Sequence, residues 1–185
     1  SSKQDMQKNS FIDTHAHLGD TAFDPDRDEA IQRALDAGVK SIINIHCWDK
    51  EKGFAGASDI PLRYPFISLA LGVHPHEADF AKDSKPIDFI REMAKEKKIV
   101  AIGETGLDYH YNHSAKKAQR DIFIKQIKTA REVSLPLIIH SREADEDTLS
   151  ILKDEGAEEI GGVMHCFSGN AKTAEELLEL GFYLS

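Results

Sequence analysis

A chain of 185 residues, 41% hydrophobic and 30% charged, has the composition of one globular domain and is too apolar for a disordered one. No apolar run reaches the ~18 residues that a membrane span requires, and two cysteines are too few for a disulfide framework, so a reducing cytoplasm and no membrane partner are expected. The net charge of -9 opposes nonspecific attraction to a polyanion; a nucleic-acid ligand would need a local cationic feature, such as divalent ions bound in a cleft.

In chain order, residues 1–10 (SSKQDMQKNS) are polar, lack the apolar stretch of a signal peptide, and read as a loose, disordered leader or expression remnant. Residues 11–185 read as the folded domain. Short apolar runs then recur: SFID at 10–13, SIINIHCW at 41–48, FISLALGVH at 66–74, IVAIGETG at 99–106, LPLIIH at 135–140, GGVMHCF at 161–167 and GFYLS at 181–185. Each is a candidate strand.

Amphipathic stretches separate them. In DRDEAIQRALDAGV, Ala30, Ile31, Ala34 and Leu35 follow helical spacing, and Gly38 sits where a C-terminal cap belongs. Ser114 is placed to cap a long helix in which Ala118, Ile122, Gln126 and Ala130 share a face with Phe123 and Ile127. The acidic run EADED at 143–147 suits a helix N-terminus, where the helix dipole favours negative charge. Asn170 can cap AKTAEELLEL, whose Leu177 and Leu178 are expected to be buried before Gly181 ends it. Regular alternation of strands and helices predicts an α/β fold with a parallel sheet. Seven such units favour a (β/α)8 barrel of the TIM type, here incomplete, over a doubly wound sheet with the same local pattern.

Polar residues gather where these runs end. His15 and His17 follow the first run, and alternation along a strand would turn both to one side. His46 ends the second, His74 the third, Glu104 the fourth, His140 with Arg142 the fifth, and His165 the sixth. In parallel barrels the active site forms at the C-terminal ends of the strands, so these residues should converge. Four imidazoles (His15, His17, His140, His165) and one carboxylate (Glu104) suit Zn or Mn, and Mg less obviously. A carboxylate on a central strand can bridge two ions. Each of these residues also has a plainer reading: Glu104 as a loop cap or a lysine partner, and His140 and His165 as satisfied core histidines.

With these residues in view, FIDTHAHL, LGVHPHEA, AIGETGLDYH, PLIIHSREA and GVMHCFSG resemble the successive motifs of the TatD-type metal-dependent deoxyribonucleases, within the amidohydrolase-like barrels. The resemblance implies a barrel that hydrolyses phosphodiester bonds in DNA with up to two divalent ions (Mg, Mn or Zn). It implies His15 and His17 on one ion, Glu104 as bridge, and His140 with His165 on the second, with Glu104, His140 and His165 central to catalysis. His74 and Arg142 are expected near the substrate phosphate, since a guanidinium fork matches phosphate oxygens. Alternatively, His74 fixes a loop beside Pro75 and Arg142 pairs with Glu143. Asp108 is expected to orient a metal-bound water or a ligand histidine, or to contact substrate.

The family also carries a later segment with an acidic residue, in a Glu-Thr-Asp motif, that completes the first metal site; no residue here matches it. An incomplete ring, a weakened first site, impaired catalysis and an open edge able to self-associate are therefore expected. His46 is read as structural, and Cys47 and Cys166 as inert core thiols. Tyr109, His110, Tyr111 and His113 read as a solvated loop, although such rings can stack on unpaired bases. Two other functions share these features: a hydrolase of the same barrel type acting on a small amide or ester, and a non-catalytic interaction protein that keeps the ligands as relics.

Overall fold

The computed structural model describes residues 11–185; the sequence expectation for residues 1–10 lies outside them. Seven parallel strands form one sheet in sequential order, β1 (Phe11–Ala16), β2 (Val39–Cys47), β3 (Ile67–Gly72), β4 (Ala101–Asp108), β5 (Leu137–Arg142), β6 (Gly162–His165) and β7 (Phe182–Leu184). The sheet curls into a partial barrel, as the alternation of strand and helix signals predicts.

The connecting helices are α1 (Arg27–Asp36), α2 (Asp59–Arg63), α3 (Lys85–Lys95), α4 (Lys116–Val133), α5 (Asp145–Asp154) and α6 (Ala171–Glu179). Helix α4 buries Ile122, Phe123, Gln126, Ile127 and Ala130, the face its spacing predicts. Asn170 caps α6 by accepting from the Thr173 amide at 2.9 Å, and α5 opens on Asp145, Glu146 and Asp147.

Two expectations fail. Ser114 does not cap α4, whose N-cap is Ala115. Its buried hydroxyl instead donates to the His76 carbonyl and accepts from the Asp79 amide, a tertiary use that local sequence does not announce. Leu178 is 56% exposed beside buried Leu177, because a helix of nine residues turns only one stripe to the sheet. Leu35 likewise lies on the outer side of α1, where only Ile31 is fully buried.

Two-residue alternation divides the strands between two faces. On one side Leu69, Leu71, Ile102, Leu137 and Ile139 join the helices in the main core. On the other, Ile45, Ala70, Ala101 and Ile138 form a small concave core beneath the strand ends. His140 has the same parity as Ile138, so it enters the concave side. His46 has the opposite parity to Ile45, and this accounts for its separation from the other strand-end histidines.

Strand β4 departs from the rule. Its pairing with β5 shifts between Gly103, opposite Ile138, and Thr105, opposite Ile139. Glu104 is the extra residue of a bulge, a device that re-aims side chains. Before it Ala101 belongs to the concave core; after it Leu107 belongs to the helix-side core. The parity has therefore flipped, and Glu104 and Asp108 join the histidines. A second shift, between Asp13 and Ala16 in β1, brackets His15.

Strand β4 also lies very close to β5. A Cβ on Gly106, whose φ is 137°, would fall 1.9 Å from the His140 carbonyl oxygen. Gly106→Ala is expected to destabilise the fold by about 3 kcal/mol, the combined cost of a strained backbone and overpacking. An unchanged urea midpoint would refute this.

Candidate metal centre

An open cavity of about 750 Å³ lies at the C-terminal ends of the strands, lined by His15, His17, His74, Glu104, His140, Arg142, His165 and Cys166. Glu104 is its centre. Its residue is 5% exposed, and its Oε2 faces His15 Nε2 at 3.1 Å and His17 Nε2 at 3.5 Å. Its Oε1 faces His140 Nδ1 at 3.1 Å and His74 Nε2 at 3.6 Å. Burial alone would raise the proton affinity of this carboxyl, but the surrounding imidazoles overcome that and hold it far below the usual carboxylate range.

The nitrogens fall into two groups. His15, His17 and Glu104 place their ligand atoms within 4.8 Å of one another, and so do His74, His76 and His140. His165 stacks face to face on His15, with ring centroids 3.3 Å apart. Its Nε2 faces Cys166 Sγ at 3.1 Å. His140 thus stands beside Glu104 as the sequence reading expects, while His165 approaches from the His15 side.

The donor set suits a divalent metal. His15 Nε2 and His17 Nε2 lie 2.9 Å apart and point toward the same carboxylate oxygen, an arrangement of nitrogen and oxygen donors that zinc and manganese accept. The other His15 nitrogen, Nδ1, is buried with no hydrogen-bond partner among the described residues. His74 differs from a ligand in its proton placement. Its Nδ1 accepts from the His76 amide at 3.2 Å, so in the neutral ring the proton sits on Nε2, facing the cavity. Burial lowers its proton affinity.

Behind the cavity, Asp108 is fully buried. Its Oδ2 accepts from His140 Nε2 at 2.9 Å and His76 Nε2 at 3.0 Å. Its Oδ1 accepts from the amides of His110 and Tyr111. Burial works against its charge, and these donors more than compensate, so its proton affinity falls well below normal. His140 is thus gripped at both nitrogens by carboxylates, which leaves Nδ1 for a metal and Nε2–H for Asp108.

Sequence reasoning set His76, His110 and His113 aside as loop residues, yet His76 joins the Asp108 network. The spacing in VHPHE repeats that of THAHL and could have flagged it. Arg142 does not pair with Glu143, which takes His110 Nδ1 at 2.9 Å instead; its guanidinium lies over the Tyr111 ring. Cys47 behaves as expected, its thiol pushed up to about 12 by burial. Cys166 does not: it is exposed on the cavity wall, because the chain leaves β6 there with a φ of 51°.

The profile of the family described as TatD related DNase matches residues 12–185. The chain belongs to the TatD family of metal-dependent hydrolases. It is 44% identical over 176 residues to the uncharacterized metal-dependent hydrolase YabD of Bacillus subtilis, covering 95% of this chain and 68% of that protein. It is 36% identical over 176 residues to the 3'-5' ssDNA/RNA exonuclease TatD of Cronobacter sakazakii, covering 94% and 65%. The crystal structure of YjjV, a TatD homologue from Escherichia coli, superposes with a TM-score of 0.80 at 30% identity, over 94% of this chain and 66% of that one. A TatD-family hydrolase from Entamoeba histolytica gives 0.82 at 27%, over 95% and 64%. The chain spans about two thirds of the length of these relatives. Among the described residues, no helix is long and apolar enough to cross a membrane.

A pH dependence follows for this TatD-family site. Hydrogen bonding to Glu104 raises the proton affinity of His17. For His140, bonds to Glu104 and Asp108 outweigh the burial that works against them. Both rings therefore keep protons above the ordinary histidine midpoint of about 6.5, and a metal must displace them. Affinity for Mn2+ or Zn2+ is expected to rise about tenfold or more from pH 6 to pH 8, with proton release. Titration calorimetry in buffers of different ionisation enthalpy measures both; a flat profile would remove the imidazoles from the ligand set.

Proposed function

We propose that this chain carries the catalytic cleft of a metal-dependent nuclease that hydrolyses phosphodiester bonds in single-stranded DNA from an end. The observation that carries this reading is the meeting of Arg142 with the histidine and carboxylate donors in one cavity. That local positive character is what a chain of net charge -9 needs to admit a polyanion. The name of the Cronobacter relative points to the same chemistry.

In this reading His15, His17 and Glu104 would hold one ion, and Glu104, His140 and His165 would serve a second. A divalent ion, when bound, supplies Lewis-acid polarisation of a phosphoryl oxygen. Asp108 fixes the tautomer and orientation of His140. His74 presents Nε2–H to the cavity, where it can donate to a phosphate oxygen, and Arg142 offers a planar fork of donors to the same group.

The test is cleavage of end-labelled single-stranded DNA with Mg2+, Mn2+ or Zn2+, by the wild type and by the His140→Ala, His165→Ala double variant. Metal-dependent release of label that vanishes in the variant is expected. Absence of cleavage with every metal would withdraw the nuclease assignment. His74→Ala and Arg142→Ala are each expected to reduce cleavage of DNA by about 10- to 100-fold, the size of a lost hydrogen bond to a charged group. Equal loss on a neutral ester or amide would show that neither group serves phosphate.

A further inference from the structure

Beside the cavity, three planar groups lie together on the loop after β4 and the end of β5. The Tyr111 and His113 rings are stacked, with centroids 5.5 Å apart and planes within 10°. The Arg142 guanidinium lies over the Tyr111 ring at 4.9 Å from its centroid. All three side chains belong to exposed residues, and Tyr111 is 51% exposed. Isolated exposed aromatics are common on protein surfaces. A stacked pair with a cation over it, joined to a catalytic cleft, is a different object.

The loop that carries them is held from below. Buried Asp108 accepts from the Tyr111 amide at 3.0 Å, and buried Ser114 ties the far end of the loop to the His76 carbonyl. His76 makes edge contacts with Tyr111, His113 and His140 at centroid distances of 5.8, 4.6 and 6.2 Å. The stack is therefore fixed relative to His140, and Arg142 belongs to both the stack and the cavity wall.

We propose that Tyr111, His113 and Arg142 form a stacking platform for an unpaired nucleobase adjacent to the bond being cut, and that this platform selects single strands over duplex. The proposal rests on the nuclease reading of the cleft. Base-on-ring stacking is tolerant of sequence, because every base has a π face. It discriminates by pairing state, since a base inside a duplex already has both faces covered. An arginine that stacks on the tyrosine while facing the cavity can hold the phosphate of the same nucleotide.

The test is equilibrium binding in EDTA, where cleavage is suppressed, of fluorescent 12-residue oligonucleotides: oligo-dT, the same backbone with abasic tetrahydrofuran units, and a duplex. Wild-type protein is expected to prefer oligo-dT to both others. The Tyr111→Ala, His113→Ala double variant is expected to lose about 5- to 100-fold for oligo-dT, the range for one or two stacked bases, and to bind the abasic strand as before. Tyr111→Phe, which keeps the ring, should restore binding to oligo-dT when paired with native His113. Equal weakening on dT and abasic strands, or no preference for dT in the wild type, would overturn the platform. Cleavage assays run in parallel separate the two ideas. A nuclease without base preference sinks only the platform, and base-selective binding without cleavage sinks only the nuclease.

Discussion

Glu104→Gln is expected to lower affinity for Mn2+ or Zn2+ by about 100-fold or more, the largest effect of any single substitution in the cavity. Losses of about 10- to 100-fold follow removal of groups that only support a ligand, and Glu104 faces His15, His17, His74 and His140 directly. Both of its oxygens are engaged by imidazoles on opposite sides, so the amide preserves shape but loses the charge and one acceptor. Its -NH2 group would also oppose an imidazole nitrogen. Chelator competition measures the loss, with His46→Ala as the control, since that ring lies on the helix side of β2. Near-native affinity in Glu104→Gln would mean that the metal binds elsewhere, and the cluster of His74, His76 and His140 would become the principal site.

Much of this centre was legible in the sequence, for a reason that also marks its limits. Strand ends in a parallel barrel share one rim, so a histidine that closes an apolar run can be assigned to that rim without knowing the fold in detail. His15, His17, Glu104, His140 and His165 are readable in this way, and the matched motifs name the same residues. Which side each residue faces was less accessible. Glu104 enters the cleft because of a bulge in β4 that Gly103 and Gly106 hint at but do not locate, and without it the carboxylate would point into the main core. His46 ends its run as the others do and is read as structural because no matched motif assigns it a metal; its parity in β2 gives the physical reason. His76 was missed because it follows Pro75 in a short turn outside any strand, and its role depends on Asp108, 32 residues later. The helices α2 and α3 differ in legibility: α2 has only five residues, too few for a helical period, whereas Pro86 in the first turn of α3 is a start signal that could have marked it.

The second large effect is expected at Asp108, where stability and metal affinity should fall together. Its four hydrogen bonds divide evenly, with Oδ1 serving two backbone amides and Oδ2 serving His76 and His140. Asparagine has one acceptor oxygen, so Asp108→Asn must abandon either the two amides or the two imidazoles and turn its -NH2 group toward donors. Each abandoned buried donor costs about 1 to 3 kcal/mol, so about 3 kcal/mol of stability is expected to be lost. A 10- to 100-fold loss in metal affinity is also expected, because His140 is no longer held with Nδ1 toward Glu104. His76→Ala removes one donor and leaves the His140 contact intact, so its loss in affinity should be less than tenfold. The pair of variants separates two roles. If both weaken metal binding equally, His76 is itself a ligand and Asp108 serves a three-histidine site. If Asp108→Asn binds metal normally while melting lower, the carboxylate only anchors the loop that carries Tyr111, and His140 takes its orientation from β5 alone.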